Sequence, residues 1–355
     1  MGKAFLRVLA ACGVCTSITA YSQVGGTHTF AFLDLPNSAR IASLGGKMVA
    51  ITDDDPDLVY FNPSLLNPGM DQHLALSYIN YFAGINYGYA SYSKSVQGIG
   101  NFSAAMHYVN YGEFTAATET GIITGQFQAA EYALHLVYSR PIDSNFTVGI
   151  TLKPIYSSLE DYQSFGLATD LGASYHSSDN LFTASIVLRN LGFQFKSYYN
   201  QQQEPLPFDI EIGISQKLGH APFRFIFTAD QLQKPDLNYT LPDNLQKVDP
   251  VTGLPIKQNA LASFSDKLMR HLLAGVEFFP IRGFTFRMGY NYQRRQELQV
   301  EARSGMVGFS WGFGLKISKF NLNYGRATYH LGGASNHFSV SANLSDFYHR
   351  KTETN

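Results

Sequence analysis

The chain has 355 residues, 45% hydrophobic and 14% aromatic, and its 26 Lys and Arg nearly balance 27 Asp and Glu for a formal net charge of −1. That balance offers no concentrated basic surface, which excludes a nucleic-acid partner. Only 15% of residues are charged, and no stretch reaches the roughly 18 apolar residues of a transmembrane helix.

Lys3 and Arg7 precede the apolar run 8–14 and the stretch 16–20, which closes on Ala20-Tyr21-Ser22. This reads as a secretory signal peptide, residues 1–22, cut before Gln23. Its loss leaves 24 basic residues against 27 acidic ones. Both cysteines, Cys12 and Cys15, fall inside it, so their spacing marks no redox site and the processed chain carries no thiol. The stretch Leu9-Ala10-Ala11-Cys12 mimics a lipoprotein box, but the apolar segment ahead of it is too short.

Residues 23–72 hold no regular alternation. Pro36, Gly45-Gly46, Pro56, Pro63 and Pro68 interrupt it, and the stretch 38–42 suits a short helix. Ahead of a barrel, such a segment is expected to thread inward as a plug or a periplasmic floor.

From residue 73 a single unit recurs: 9 to 13 residues alternating apolar and polar, closed by a turn. Phe208, Ile210, Ile212 and Ile214 alternate with Asp209, Glu211, Gly213 and Ser215. Further on, Phe284, Phe286, Met288, Tyr290 and Tyr292 alternate with Thr285, Arg287, Gly289 and Asn291. Successive strand residues point to opposite faces, so each unit has one apolar and one polar side. Pattern and turn signals give about fourteen strands. Their spans are 73–81, 84–94, 98–110, 130–140, 145–156, 163–175, 180–190, 207–217, 222–232, 268–279, 283–292, 303–316, 319–328 and 338–345.

Short turns at 141–144, 177–179, 218–220, 280–282 and 317–318 alternate with longer connections at 111–129, 157–162, 191–206, 233–267, 293–302 and 329–337. An even strand count and segregated loop lengths are what a bacterial outer-membrane barrel requires. The expected fold is therefore all-β, a closed antiparallel transmembrane barrel at 73–346 with a tail at 347–355. Tyr108, Tyr111, Tyr156, Tyr162, Tyr292 and Tyr329 near strand ends suit interfacial girdles. Asp170, Asp209, Glu211, Asp230 and Glu277 share the inward face with Lys153, Lys217, Arg224, Arg287 and Lys316. Charges of both signs inside argue for mutual pairing and a filled interior rather than an ion-selective pore.

Candidate chemistry is thin. Ser91–Lys94 fits SxxK and 178–180 fits SDN, but they close a strand and form a turn, and KTG is missing, so no catalytic residue is expected. The acidic knot of Asp53, Asp54, Asp55 and Asp57 lacks the Gly and Glu of an EF-hand, with Leu58 and Ser64 in their places. Capping or solvation outweighs a calcium site at Asp53, Asp55 and Asp57, and no cofactor is expected. His107, His135 and His271 sit mid-strand as lumen packing, and Pro154 marks a strand edge or kink. The outer loops at 191–206 and 233–267 carry aromatics among polar residues. Phe193, Phe195, Tyr198, Tyr199, Leu237, Tyr239 and Leu241 are the expected contacts with a surface protein.

The segment FAFLDLPNSARIASLGG at 30–46, the Asp55-Pro56 step and YFNPSLL at 60–66 resemble the start of the PorQ family, outer-membrane barrels of the type IX secretion system of Bacteroidetes. Pro36, Ser38, Arg40, Gly45, Gly46, Asn62 and Pro63 carry that motif. The resemblance implies a FadL-like barrel related to PorV. It also implies a non-enzymatic docking role that holds a PorZ-like protein beside the sortase PorU and PorV, with membrane lipid and lipopolysaccharide as surroundings. The alternative is a FadL-like transporter of a hydrophobic ligand. Either way the chain is expected in the outer membrane of a Gram-negative bacterium, long loops at the cell surface.

Overall fold

The computed structural model describes residues 28–82, 84–199, 202–237, 260–298, 305–330 and 333–348. The calls on 1–22, Tyr239 and Leu241 lie outside them. Fourteen antiparallel strands close on themselves, each hydrogen-bonded to its sequence neighbours, with the first pairing the last. They are β1 (His73–Asn80), β2 (Asn86–Val96), β3 (Gly100–Ala117), β4 (Ile123–Pro141), β5 (Phe146–Leu159), β6 (Tyr162–His176) and β7 (Phe182–Lys196). There follow β8 (Asp209–Lys217), β9 (Phe223–Ala229), β10 (Leu272–Ile281), β11 (Phe284–Asn291), β12 (Phe309–Ile317), β13 (Phe320–His330) and β14 (Gly333–Asn343). The seam is in strict register, from His73 opposite Asn343 to Asn80 opposite Asn336.

Alternation fixes the two faces. Along β8, Asp209, Glu211, Gly213 and Ser215 are buried while Ile212 and Ile214 are exposed, and in β9 Phe225 and Phe227 point out while Arg224, Ile226 and Thr228 point in. The outer wall is thus a surface of exposed Leu, Ile, Phe and Tyr, which hydrocarbon satisfies and water does not. Among the described residues no helix is long and apolar enough to cross a membrane; the strands form the crossing.

Call the end where β1 starts and β14 stops the near end. Near-end turns span two to five residues. The far end departs from expectation. The connection expected at 111–129 is largely strand, since β3 runs to Ala117 and β4 starts at Ile123. Likewise β5 and β6 nearly meet at 160–161, β7 continues to Lys196, and β13 and β14 take up most of 329–337. Hairpins rather than loops rise there: paired strands keep hydrogen-bonding to each other through polar residues whose composition reads as loop. In the other direction, 305–308 is not strand: Val307 is buried and β12 starts at Phe309. Two helices occupy parts of the remaining connections, Ala260–Arg270 and Tyr292–Leu298. Pro154 makes no bulge: β5 keeps register with β6, and only the ladder to β4 is interrupted beside it.

Residues 29–70 lie within the barrel and are mostly buried, with Ala31, Asp54, Pro68 and Gly69 exposed. Their local form follows from a repeated Asx-Pro step. Asp55, Asn62 and Asn67 each accept a backbone N–H two residues on, and the proline that follows each opens a 3-10 turn. The acceptor side chain satisfies an end N–H, and proline removes another that would have had no partner. Ser38 caps the helix Ala39–Ser43 in the same way through Ile41 N.

Candidate functional site

Two regions could carry function: the inner segment with its seat, and the far-end rim. The seat is built from charge on one side of the barrel. Arg40 clamps Glu277 of β10 through Nε and Nη2 at 2.9 and 3.0 Å, and reaches Asp53 at 2.7 Å and Asp55 at 3.0 Å. Glu277 also accepts from Arg224 at 2.7 Å and Arg287 at 2.9 Å, so one fully buried carboxylate is shared by three guanidiniums. Burial works against the charge on Asp53, but Arg40 and then Arg224 overcome it and hold its carboxyl well below the usual range. The acidic knot is therefore not poised for a metal: Asp53 and Asp55 are taken by guanidiniums. Asp57 is buried, and burial together with nearby Asp55 pushes its carboxyl upward. Of the weak calcium candidates, Asp53 and Asp55 sit in ion pairs, Asp55 also caps the turn that Pro56 opens, and Asp57 is buried.

A second knot lies higher. Lys47 Nζ sits 2.6 Å from Asp209, 3.2 Å from Asp230 and 3.7 Å from Glu211. Burial disfavours its ammonium, yet Asp209 and the neighbouring carboxylates raise it well above the ordinary lysine range. Arg189 bonds Glu211 at 3.1 Å and the Leu33 carbonyl at 2.9 Å and lies over the Phe61 ring. Lys153 pairs Asp170 at 2.5 Å. The inward charges thus pair with each other or with the inner segment. Lys217 and Lys316 differ: both are exposed at the near end, outside the packed lumen.

The motif residues all serve this seat. Gly45 and Gly46 adopt φ of 112° and 113°, which only glycine takes without strain. Asn62 donates to the Val49 carbonyl at 2.6 Å and to Ser174 of β6 at 3.1 Å, and Pro63 opens the turn packed on β4, β5 and β6. Pro36 accepts from the Tyr87 hydroxyl through its carbonyl at 3.2 Å. Sequence reasoning missed the complementary half. Inward glycines make room for the segment: a Cβ on Gly289 would fall 2.2 Å from the Leu44 backbone, and one on Gly325 2.2 Å from the Ala39 carbonyl oxygen. The signal was present, since glycine recurs on inward faces of strands otherwise rich in bulky residues.

The opposite wall seats the segment by apolar packing. Phe30, Phe32 and Leu33 cluster with Val109, Ala133, Ile155 and Ala168 of β3–β6. His107 and His135 lie buried in strands β3 and β4, with the Tyr60 ring edge-on to the first and tilted over the second, and His271 is buried at the foot of the rim helix. Below the segment, a polar cleft of about 320 Å³ opens at the near end, lined by Arg40, Asp53, Asp55, His73, Arg287 and Lys316 among others.

At the rim, β3 and β4 outgrow their neighbours. Beyond Asn110 and Ala129 their last residues pair with each other and with no flanking strand. The result is a free-standing ribbon with Phe114 and Phe127 stacked at 5.2 Å and Ile122 and Ile123 exposed at its tip. A tilted strand of about 9–11 residues crosses the hydrocarbon. The 18 and 19 residues of β3 and β4 exceed that by roughly eight. At about 3.4 Å per residue and a tilt of about 40°, the tip stands about 20 Å clear.

The expected contacts are only partly brought together. Phe193 and Phe195 belong to β7, not to a loop. Arg189 and Asn190 both face inward opposite Asp170, and this bulge resets the phase so that both phenylalanines face out, packed edge-to-face at 4.5 Å. Tyr198 turns inward to Ser157 at 2.6 Å and packs on Phe30, while Tyr199 is exposed. Leu237 is half-buried in the β9–β10 connection. The ribbon tip was not anticipated.

No family model and no curated protein matches the chain. Solved structures do. The chain is similar in fold to the toluene transporter TbuX of Ralstonia pickettii, at 12% identity over 87% of this chain and 97% of that one, TM-score 0.51. It is also similar to the Pseudomonas putida toluene transporter TodX, at 12% identity over 88% and 99%, TM-score 0.52. A FadL homologue from Pseudomonas aeruginosa aligns more loosely, at 9% identity over 87% and 98%, TM-score 0.48. At such identities the likeness to TbuX and TodX shows a shared fold alone, a closed antiparallel barrel.

Proposed function

We propose that this chain is an outer-membrane docking barrel, near end in the periplasm and far-end ribbon at the cell surface, without catalytic function. The observation that carries this is the filled lumen: residues 29–70 occupy it, tied by buried ion pairs on one side and apolar packing on the other. The cleft beneath them is charged, unlike the mostly apolar pocket that a hydrophobic ligand would require. The ribbon supplies what docking needs. An isolated two-stranded hairpin is marginally stable, its open edges can accept a further strand, and its tip offers aliphatic anchors. On the resemblance drawn from residues 30–66, the partner is a PorZ-like surface protein, beside PorU and PorV in a type IX secretion attachment complex.

The test replaces residues 115–126 by Asn-Gly, which closes Phe114 onto Phe127 through a favoured hairpin turn. Retention of surface proteins by the purified barrel is then measured after cross-linking on cells. A loss of tenfold or more is expected, and unchanged retention would refute the ribbon as the docking surface.

The fold likeness to TbuX and TodX favours a second reading, passage of a hydrophobic ligand. It requires the inner segment or the wall to open a path. Entry of a hydrophobic dye into cells bearing the protein would support it.

A further inference from the structure

The helix Ala260–Arg270 has two unlike sides. Leu261, Phe264 and Leu268, at i, i+3 and i+7, form one stripe and are 72%, 66% and 54% exposed. The other side is polar and engaged. Asp266 accepts from the Tyr292 hydroxyl at 2.8 Å and from Arg270 Nε at 2.8 Å, and Lys267 pairs Asp236 at 2.7 Å. A helix free in water would turn the stripe inward and the charges outward. This one does the reverse.

Its position accounts for that. The helix leads within two residues into β10, whose 10 residues are about one hydrocarbon crossing. It therefore sits at the height where hydrocarbon ends. Tyr292, which Asp266 holds, continues the outward-facing row Met288, Tyr290 on β11, so the helix leans on the lipid side of the rim. Just below lie the outward Phe225, Phe227 and Phe309.

We infer that Ala260–Arg270 is an interfacial helix, its Leu261–Phe264–Leu268 stripe buried at the headgroup and acyl boundary of the leaflet around the far end. The stripe prolongs the lipid-facing wall, and lipid is its occupant. An amphipathic helix with basic residues on its polar side lies in such a plane. The consequence is an asymmetric rim: one side reaches into the medium through the ribbon, while this side grips the membrane and fixes the barrel's height and tilt.

The inference rests on the membrane reading of the wall, and the test separates the two. Processed chain bearing Leu261→Cys, Phe264→Cys or Leu268→Cys is labelled with a fluorophore and reconstituted in phosphatidylcholine vesicles carrying acyl chains dibrominated at carbons 6 and 7. Ser263→Cys reports the polar side, Phe227→Cys the wall and Ile122→Cys the ribbon tip. Each labelled protein is first checked for the gel-mobility change of a folded barrel on heating, so three independent stripe positions guard against one misfolding. The stripe labels should be quenched by bromolipid at least twofold more than the Ser263 label and shielded from aqueous iodide. Iodide quenching of the stripe equal to that at Ile122, with Phe227 still quenched by bromolipid, overturns the interfacial helix alone. A Phe227 label blind to bromolipid overturns the membrane wall and the helix with it.

Discussion

The barrel has a tall side and a short side. Strands β3 to β7 run 14 to 19 residues, whereas β8 to β14 with β1 and β2 run 7 to 11. The short side is about as long as a bilayer crossing demands, and its inward face holds the inner segment with Glu277, Arg224, Arg287, Asp209 and close-fitting glycines. The tall side grips the same segment through apolar packing with Arg189 and Ser174 as polar contacts, and its extra length runs beyond a crossing. Strand length in excess of the crossing marks one side, and the guanidiniums gathered on Glu277 mark the other.

This contrast can be broken at its strongest point first. Arg40→Ala leaves the Glu277 carboxylate without its contact to the inner segment, and removing one partner of a buried pair costs about 3–5 kcal/mol. Urea unfolding of the reconstituted barrel should register that loss, while the Asn-Gly replacement of 115–126 should leave unfolding nearly unchanged. Equal effects would erase the division of labour. Next in size is Gly289→Val, whose Cβ meets the Leu44 backbone; overpacking of this kind costs about 1–3 kcal/mol. Protease accessibility of residues 29–70 should rise in that variant and not in a Gly125→Val control on the ribbon.

A pH comparison sharpens the account of the charged seat. Asp53 is held below its ordinary value, so the stability it adds is present above about pH 3.9 and fades only as pH falls through its lower folded value. The unfolding difference between wild type and Asp53→Asn should therefore stay flat from pH 8 down to 4.5 and shrink below pH 3. A difference that vanishes between pH 6 and 4 would mean Arg40 and Arg224 do not hold this carboxylate. The smallest effect is expected for Phe193→Ala with Phe195→Ala. Both face out from β7, and exposed substitutions stay within about 0.5 kcal/mol, so only partner retention could move.

Much of this was legible in the sequence, for identifiable reasons. The fourteen strands follow from a two-residue period that persists wherever one face meets lipid and the other the lumen. Mixed inward charge pointed to a filled interior, and Pro56, Pro63 and Pro68 marked breaks in the inner segment, although the caps that Asn62 and Asn67 supply there went unread. What stayed hidden depended on pairing between distant residues. Nothing local in 111–117 or 123–128 distinguishes ribbon from loop, because their polar residues are solvated on both faces. The bulge at Arg189 and Asn190 could not be read either, since it depends on Asp170 accepting the Asn190 N–H across the sheet. That single insertion moved Phe193 and Phe195 from a supposed loop to the outer wall. Most of the inverted helix Ala260–Arg270 lay in a stretch read as a long loop, and its last residues, 268–270, were read as the start of a strand.

The central claim is that the inner segment keeps the lumen closed, so the molecule works at its rim. The most direct measurement is entry of a hydrophobic fluorescent dye into Gram-negative host cells, whose lipopolysaccharide leaflet otherwise slows such solutes, with and without this protein. Entry equal to that of cells carrying an empty vector is the predicted result. A severalfold rise in dye entry on expression of the unaltered chain would contradict it and make the barrel a conduit.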